Sequence, residues 1–442
     1  MMGLSTTHQG GALIMKFKQT DAQNQRIEQI TTSHLVIGID MAKETHVAQA
    51  TNFRGIVVSK RHLSFSNSIE GFEKLNRWMN ELQQKYRLKK LIIGMEPTGH
   101  YWFNLANWLS DKGVHVVMVN PATTKRNKEN RDNSPSKNDP KDALVIADTV
   151  SRGFYYEYTR QSLVFQRIKT IMSDREFWVT NSVRLQNRIV RWLDIRFPEY
   201  PSVFKDWTCK RSLATLKTFP CPHDLENYRV LDVIEAWRMH MQRAGGSTGL
   251  EKAAQLIARA KCSVGEQAAA EEAKADLRRL IEEFERVTAM LEQIERDIEV
   301  LLSEIPMAQQ LRTIKGLGKI FTAAILAGTG DLRQYAHGRQ VMRKAGLNLA
   351  ESSSGRRKGQ IVLSKRGDSA LRKYLYLATV QLVWNNPVFR HLHEHNVQEK
   401  KMKKQQSIFK LIGKLARVLV GIVQRGEKFT PEKTVLTWSE AA

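Results

Sequence analysis

Three features are scarce in this 442-residue sequence: cysteine, long apolar runs, and acidic residues relative to basic ones. The cysteines Cys209, Cys221 and Cys262 lie far apart without a C-x-x-C pair, which argues against a disulfide framework and a cysteine zinc site. No apolar stretch approaches the roughly 20 residues that span a bilayer, and the amino terminus lacks the layout of a secretory signal. These absences predict a cytoplasmic protein without a membrane partner.

The shortage of acidic residues leaves a large positive charge. Lys and Arg number 69 against 45 Asp and Glu, which gives a formal net charge of +24. Such an excess points to a polyanionic partner, most often nucleic acid. The length allows two or three domains, each with its own core.

The hydrophobic pattern divides the chain into five segments. Residues 1–33 are polar and aperiodic, and we expect them to be a flexible leader. Residues 34–155 follow the order βββαβαβ and then a helix, which predicts an α/β domain with a mixed sheet that opens as an antiparallel meander. Residues 156–270 are predicted to be a mainly helical linker or insertion, in which the Gly-rich stretch AGGSTG is interpreted as a linker. Residues 271–304 are predicted to be a coiled coil, and residues 305–442 a mainly α-helical domain.

One helix in the second half carries apolar residues in alternating steps of three and four. This pattern predicts a coiled-coil seam, which would join copies of the chain. The alternative is a single amphipathic helix packed within its own chain, because charged outer faces suit both arrangements. The seam consists of Leu277, Leu280, Phe284, Val287, Leu291, Ile294, Ile298 and Leu301.

Four carboxylates occupy positions suited to a single site. Asp40 ends the run LVIGID and Glu96 ends LIIGME, so each is expected at the carboxyl end of a buried strand, where ligands bind in open α/β sheets. Asp139 and Asp142 are three residues apart at a predicted helix start and share one face. Four such carboxylates repel one another unless cations neutralise them, and oxygen ligands favour hard ions such as Mg²⁺. Two ions about 4 Å apart can support phosphoryl transfer.

Each pair of carboxylates also has a purely structural interpretation. Asp139 before Pro140, with Asp142 three residues later, is a good helix start in which Asp139 is the N-cap. Asp40 and Glu96 could be turn formers, although a charge directly after an apolar run, twice in one small domain, is less easily explained in that way. The set of four is therefore more specific than any member.

Several motifs resemble one protein family. GIDMAK, GMEPTGHYW, VNP followed by a basic segment, and NDPKDA resemble the RuvC-like domain of the DEDD insertion-sequence transposases of family one hundred and ten. The second domain of the same family is similar to IKGLGKIFTAAILAGTGDLRQYAHGRQVMRKAGLNL, SSSGRRKGQIVLSKRGDSALRKYLY and KLIGKLARVLVG. The resemblance covers residues 34–153 and 305–425, in the same order.

The resemblance implies an RNase H-like (RuvC-like) α/β catalytic domain, followed by a coiled coil and a mainly helical C-terminal transposase domain with a catalytic serine. That serine is the one of the Ser-Gly pair, Ser354, and three consecutive serines leave the choice open among Ser352, Ser353 and Ser354. The expected metal is Mg²⁺ or Mn²⁺. The implied catalytic metal ligands are Asp40, Glu96, Asp139 and Asp142.

The resemblance also implies the partners. Similar proteins are bacterial recombinases of the cytoplasm that act as a dimer or tetramer on double-stranded DNA, both at the element ends and at the target. A structured bridge RNA guides them, and domains of different subunits complete each active site. From the residues alone, the alternatives are a RuvC-type metal-dependent nuclease, a site-specific DNA invertase, and a nucleic-acid-binding protein without catalysis.

Basic residues indicate where nucleic acid would bind. Residues 356–373 hold seven Lys or Arg against one Asp, and the glycines there favour close approach of backbone to phosphate. IKGLGKIF resembles a helix-hairpin-helix turn, in which backbone amides can hold a phosphate, with an ordinary tight turn as the alternative. The predicted nucleic-acid-binding residues are Lys125, Arg126, Lys319, Arg356, Arg357, Lys358, Lys365, Arg366, Arg372 and Lys373.

Overall fold

The structure, a computed structural model, describes residues 21–131, 138–351 and 361–431. The chain forms two compact units, one ending at Arg160 and the other beginning at Gln161. Within the described part of the chain, none of the helices combines the length and apolarity that crossing a membrane requires.

The first unit is an α/β structure around one mixed sheet. In chain order its elements are α1 (Asp21–Gln29), β1 (His34–Asp40), β2 (Thr45–Asn52), β3 (Leu63–Ser66), α2 (Ile69–Tyr86), β4 (Lys90–Met95), α3 (Trp102–Asp111), β5 (His115–Val119), α4 (Pro121–Arg131), α5 (Asp139–Ser151) and β6 (Tyr155–Glu157). The strand order is β3-β2-β1-β4-β5-β6. The strands β1, β4 and β5 are parallel, whereas β2, β3 and β6 pair in antiparallel fashion. The predicted meander and mixed sheet are confirmed.

The two faces of the sheet pack against different helices. Side chains along a strand point to opposite faces in turn. Odd-numbered residues of β1, such as Ile37, share a core with Leu75 of α2 and Leu105 of α3. Even-numbered residues, such as Val36, share a second core with Ile146 of α5. Side chains at even-numbered positions of β1 therefore face α5.

Two glycines let α5 pack directly on the sheet. Gly38 of β1 and Gly94 of β4 are partners in the parallel register. A Cβ on Gly38 would lie 2.0 Å from the carbonyl oxygen of Ala143 and 2.4 Å from the backbone nitrogen of Ala147. A Cβ on Gly94 would lie 2.4 Å from Val150 Cγ2. Only glycine permits this close approach, which fixes where α5 begins above the strand ends.

We expect Gly38→Ala to destabilise the protein by about 3 kcal/mol, because the added methyl group meets backbone atoms that cannot rotate away. Gly318→Ala is the control, since a Cβ there meets nothing within 4 Å. Urea unfolding of both variants measures the difference. If Gly38→Ala is no more destabilising than the control, α5 does not pack on the sheet in this way.

The end of the predicted leader is folded. The Arg26 guanidinium of α1 donates a hydrogen bond of 2.8 Å to the carbonyl oxygen of Tyr155, and Ile30 is buried in the core below α5. The prediction of a flexible leader through residue 33 is therefore wrong from Asp21 onwards. A short polar helix with one apolar anchor gives too little periodicity to be recognised.

The polar segment after β5, predicted as a loop, is the helix α4. The Asn120 side chain accepts a hydrogen bond of 2.9 Å from the backbone nitrogen of Ala122, and Pro121 is the first helical residue. Asn followed by Pro is a favourable helix start. Thr124 and Asn127 are buried and share one face of the helix.

The second unit is mainly helical. Its elements are α6 (Leu163–Arg196), α7 (Tyr200–Val203), α8 (Lys210–Thr218), α9 (Val230–Arg238), α10 (Ser247–Lys261), α11 (Ala270–Ser303), α12 (Pro306–Arg312), α13 (Lys319–Thr329), α14 (Gly338–Lys344), β7 (Leu349–Glu351), β8 (Ile361–Leu363), α15 (Ser369–Asn385), α16 (Pro387–Gln398) and α17 (Lys404–Arg425). The strands β7 and β8 form an antiparallel pair. The helical character predicted for this half is confirmed.

Two long antiparallel helices, α6 and α11, connect two hydrophobic cores in this unit. Phe165 near the start of α6 shares one core with Ile298 near the end of α11 and with α12–α17. Leu193 near the end of α6 shares the other core with Leu277 near the start of α11 and with α7–α10. The unit is therefore organised around this helix pair.

The apolar seam of α11 is used within the chain. Its residues are buried except for Leu291, which is half-buried. Leu277, Leu280 and Phe284 contribute to one core of the second unit, and Ile294 and Ile298 contribute to the other. This finding favours the alternative of a helix packed within its own chain. A coiled coil between copies of the chain stays a prediction.

The region between α6 and α11 is compact. Trp237 is completely buried, and its indole nitrogen donates a hydrogen bond of 2.8 Å to Thr215 Oγ1. In the Gly-rich stretch, Ala244 is buried and Gly246 adopts φ 83° immediately before α10. Interpreting this stretch as a linker is therefore wrong, because Ala244 belongs to a folded core and Gly246 provides the positive φ with which the chain turns into α10.

Candidate active site

Asp40 and Glu96 lie side by side at the ends of adjacent parallel strands. The register pairs Ile39 with Met95, so the next residue of each strand is a carboxylate. Asp40 and Glu96 both occupy even-numbered positions, whose side chains face α5, and both are half-buried. Thr98 Oγ1 donates a hydrogen bond of 2.7 Å to Glu96 Oε1. The turn that follows the strand thus orients one of the two carboxylates.

The start of α5 brings the second pair of carboxylates to the site. Asn138 is the N-cap, and its side chain accepts a hydrogen bond of 2.9 Å from the backbone nitrogen of Lys141. Asp139 is the first helical residue, so the alternative in which Asp139 caps the helix is wrong. Asp142 lies three residues further on and shares the same helix face.

Asp40 lies close enough to the other three carboxylates to be influenced by their charges. Burial is the largest cause that raises the pKa of Asp40 from 3.8 to about 6, followed by the negative charges of Asp142, Asp139 and Glu96. The structure therefore brings together the four acidic residues that the sequence singles out. Like charges gathered in one partly buried place favour a bound cation.

The donor set fits a hard divalent cation. Four carboxylates offer oxygen ligands only, which Mg²⁺ and Mn²⁺ prefer. As the side chains stand, no three Asp, Glu, His or Cys residues among those the structure describes lie close enough to hold one ion. Ligation would therefore require side-chain rotations, which draw the carboxylates of Asp40, Glu96, Asp139 and Asp142 towards the cation.

A lysine that sequence reasoning missed also lies at this site. Lys128 of α4 forms an ion pair with Asp142, and both side chains are largely buried. The ammonium group offsets part of the negative charge of the cluster. Lys125 and Arg126, the neighbouring residues predicted to bind nucleic acid, are exposed.

Buried polar contacts hold α4 against α5. Asn127 Nδ2 donates hydrogen bonds of 2.9 Å to Asp148 Oδ2 and 3.0 Å to Thr149 Oγ1. Asn127 precedes Lys128 directly, so these contacts fix the lysine at the acidic cluster. The Asn-Pro helix start was the available sequence signal, since it places Thr124, Asn127 and Lys128 on neighbouring positions of one helix face.

The raised pKa of Asp40 predicts a pH-dependent stability in the absence of divalent metal. Because the folded-state pKa exceeds the unfolded value, the ionised carboxylate destabilises the fold, and stability falls as pH rises from about 4 through about 6. We expect Asp40→Asn to stabilise the protein by about 1–2 kcal/mol at pH 8, a figure reduced for partial exposure, and to give no gain near pH 4.

Urea unfolding in EDTA at both pH values measures this effect. Asp111→Asn is the control, because Asp111 is exposed and ion-paired with Arg160 in the same unit. A stability difference between Asp40→Asn and wild type that does not change with pH would contradict the electrostatic account.

The predicted catalytic serine and part of the basic segment lie outside the described residues. These residues are Ser352, Ser353, Ser354, Arg356, Arg357 and Lys358. Lys365 and Arg366, which follow β8, are exposed. Their assignment to nucleic-acid binding stays a prediction.

The remaining basic residues of this prediction have partners in the second unit. Arg372 Nη1 donates a hydrogen bond of 2.8 Å to the carbonyl oxygen of Ala345, and Lys373 forms an ion pair with Glu176. Lys319, at the start of α13, lies 4.0 Å from a carboxylate oxygen of Glu295. These contacts give the three residues structural roles, and binding of nucleic acid by them stays a prediction.

Two family models match the chain and together span more than half of it. The model DEDD_Tnp_IS110, described as a transposase, matches residues 37–198, which include all four carboxylates. The model described as Transposase IS116/IS110/IS902 family matches residues 308–394. The fold, the acidic cluster and the two family matches together define the class of protein as a transposase. The chain belongs to the IS110 family of transposases, as the sequence motifs predict.

Curated relatives match over a shorter stretch. The chain is 34% identical over 99 residues to a probable family 20 transposase of Pseudomonas aeruginosa, and 32% identical over 99 residues to the transposase for insertion sequence element IS1328 of Yersinia enterocolitica. It is 33% identical over 89 residues to a pilin gene-inverting protein of Moraxella lacunata. These matches cover 20–22% of this chain and 26–30% of each relative.

Proposed function

We propose that this chain is a DNA recombinase that cuts and rejoins donor and target DNA during transposition of an insertion sequence. The observation that carries this proposal is the placement of Asp40, Glu96, Asp139 and Asp142 at one edge of the sheet, where burial and then the charges of the other three carboxylates raise the pKa of Asp40 to about 6. Membership of a transposase family supports double-stranded DNA as the substrate.

The proposed reaction is a transesterification at phosphorus. The hydroxyl oxygen of Ser354 forms a bond to a DNA phosphorus and loses its proton, while the bond to the deoxyribose oxygen breaks and that oxygen takes up a proton. One phosphate ester replaces another, so the later rejoining step needs no external energy source. A bound Mg²⁺ would activate the attacking oxygen and stabilise the leaving one.

The residues of the chain have separate roles in this scheme. Asp40 and Glu96, fixed by the sheet, and Asp139 and Asp142, fixed by α5, would hold the metal. Lys128, ion-paired with Asp142, would offset part of their charge. Exposed Lys125 and Arg126 on the same helix would contact the flanking backbone.

A guide RNA and an oligomer belong to the same proposal. The net charge of +24 provides electrostatic attraction for RNA as well as DNA. A dimer or tetramer would bring together the two DNA molecules that recombination requires. Sequencing the RNA that co-purifies with the protein tests the RNA, and light scattering tests the assembly.

A site-specific invertase is the second candidate. The relative in Moraxella lacunata, named a pilin gene-inverting protein, favours it. Inversion uses the same chemistry on two fixed sites within one DNA molecule. Plasmids that carry either a mobile element or an inverted site distinguish the two candidates by the product they yield.

The experiment that tests the proposed activity is a cleavage assay with end-labelled DNA. Denaturing gels should show strand cleavage in Mg²⁺ or Mn²⁺, none in EDTA, and protein attached to the cleaved strand. Cleavage without attached protein would identify a water-using nuclease instead. Binding without cleavage in any divalent metal would identify a nucleic-acid-binding protein without catalysis.

A further inference from the structure

A basic cavity lies in the helical region between α6 and α11, outside both family matches. Its volume is about 320 Å³. Three cationic side chains, Lys205, Arg211 and Lys252, line it together with Asp206 and Cys209. Nothing in the transposase chemistry above uses this cavity.

The three cations have no acidic partner among the residues that the structure describes. Lys252 Nζ donates a hydrogen bond of 2.6 Å to the carbonyl oxygen of Val203 and lies 5.2 Å from the ring centre of Phe204. Arg211 lies over the ring of Trp237, and its Nε is buried without a hydrogen-bond partner. Arg211 Nη2 donates a hydrogen bond of 3.4 Å to the carbonyl oxygen of Ala244. None of these partners carries a negative charge.

The one carboxylate of the cavity, Asp206, forms no ion pair with these three cations and offsets only part of their charge. Asp206 Oδ1 accepts hydrogen bonds of 2.9 Å from the backbone nitrogen of Thr208 and 2.7 Å from its hydroxyl group. The helix α8 begins directly beyond Cys209, whose side chain makes no capping hydrogen bond. The first backbone amides of α8 thus add positive potential to that of the side chains.

A neighbouring cavity provides a comparison for the lysines. Its lysines are both ion-paired, Lys217 with Glu285 at 2.7 Å and Lys274 with Asp224 at 2.6 Å. Arg278 also lines that cavity and has no acidic partner among the described residues, so the difference concerns the lysines: Lys205 and Lys252 form no ion pair, whereas Lys217 and Lys274 do.

We propose that this cavity binds a phosphate group. Arginine and lysine side chains with a helix N-terminus are the donors that recognise phosphate oxygens in proteins. The phosphate could belong to a nucleic-acid backbone or to free inorganic phosphate. Binding to nucleic acid rests on the proposed function, whereas binding of inorganic phosphate does not.

Native cysteines provide the test. Cys209 is exposed and lines the cavity, Cys262 is exposed elsewhere, and Cys221 is buried. The rate at which N-ethylmaleimide modifies each thiol is measured by mass spectrometry of the full chain, alone, with inorganic phosphate, and with a duplex DNA. An occupied cavity should slow the modification of Cys209 by about threefold or more, because reaction needs access to the thiolate. Cys262 should react at an unchanged rate.

Two variants separate a site from general electrostatics. Lys205→Ala removes an exposed side chain, so folding is retained, and should abolish the protection of Cys209. Lys217→Ala removes the same charge from the neighbouring cavity and should retain the protection. Cleavage activity is not part of the readout, so the result does not depend on whether the chain cuts DNA.

The outcomes decide the proposal and the source of the phosphate. Protection by DNA and by phosphate supports a contact with the nucleic-acid backbone, and protection by phosphate alone supports a site for the free ion. If neither probe protects Cys209, if Cys262 is protected equally, or if Lys205→Ala retains the protection, the proposal is overturned.

Discussion

Glu96→Gln should lower the rate of DNA strand cleavage about a hundredfold to a thousandfold while leaving folding and DNA binding unchanged. The substitution keeps the size of the side chain and an oxygen that can accept the hydrogen bond from Thr98. It removes the negative charge with which Glu96, at the end of β4, would bind a metal ion. Stability in EDTA should not fall, since one like charge has been removed from the cluster.

The matched control for this variant is Glu73→Gln. Glu73 lies in the same unit, on α2, where it is exposed and paired with Lys112. Cleavage rate, DNA affinity and the unfolding midpoint are measured for both variants. Near-normal cleavage by Glu96→Gln would remove Glu96 from the proposed metal ligands, and equal loss in Glu73→Gln would indicate a general effect of charge.

Ser354→Ala should abolish the covalent protein–DNA adduct, with a loss of rejoining activity of about four orders of magnitude or more. The carboxylates of the first unit can still hold a metal in this variant. They cannot supply the ester bond that links protein to DNA. DNA binding and folding should match those of the wild type.

The neighbouring serines provide the comparison. Ser352→Ala and Ser353→Ala should both form adduct, which denaturing gels of labelled DNA detect directly. Loss of adduct at one of these positions alone would move the nucleophile to that serine. Strand nicking without any adduct in the wild type would instead support a nuclease that activates water.

The sheet and its acidic edge were predictable because each depends on a local pattern. The apolar runs that end in Asp40 and Glu96 are the buried parallel strands of the structure, and both carboxylates follow these runs directly. Asp139 and Asp142 are also placed locally, by the spacing of a helix start. The close packing of α5 over Gly38 and Gly94 brings the two pairs of carboxylates together. In the sequence, only the four motifs taken as a set indicate that the pairs meet.

The parts that sequence reasoning missed depend on contacts between distant residues. Helix α4 is too polar to show a hydrophobic period, and it is held instead by the buried amide of Asn127 against Asp148. The Asn-Pro helix start indicates α4 and the face that carries Lys128, but the ion pair with Asp142 follows from the docking of α4 on α5. The seam of α11 was visible in the sequence, but its partner α6 was not, because the same spacing suits a helix of another copy or of the same chain.

The central claim is that the four carboxylates form a metal centre, and calorimetric titration of Mn²⁺ into wild type and Asp40→Asn at pH 6 tests it most directly. Near that pH Asp40 is partly protonated, so metal binding should release protons. The buffer takes up these protons, so the measured heat of binding should vary with the ionisation enthalpy of the buffer. The account predicts Mn²⁺ binding with proton release by the wild type, and affinity about tenfold weaker or more in Asp40→Asn without that proton release. Equal affinity and equal proton release in the two proteins would contradict it.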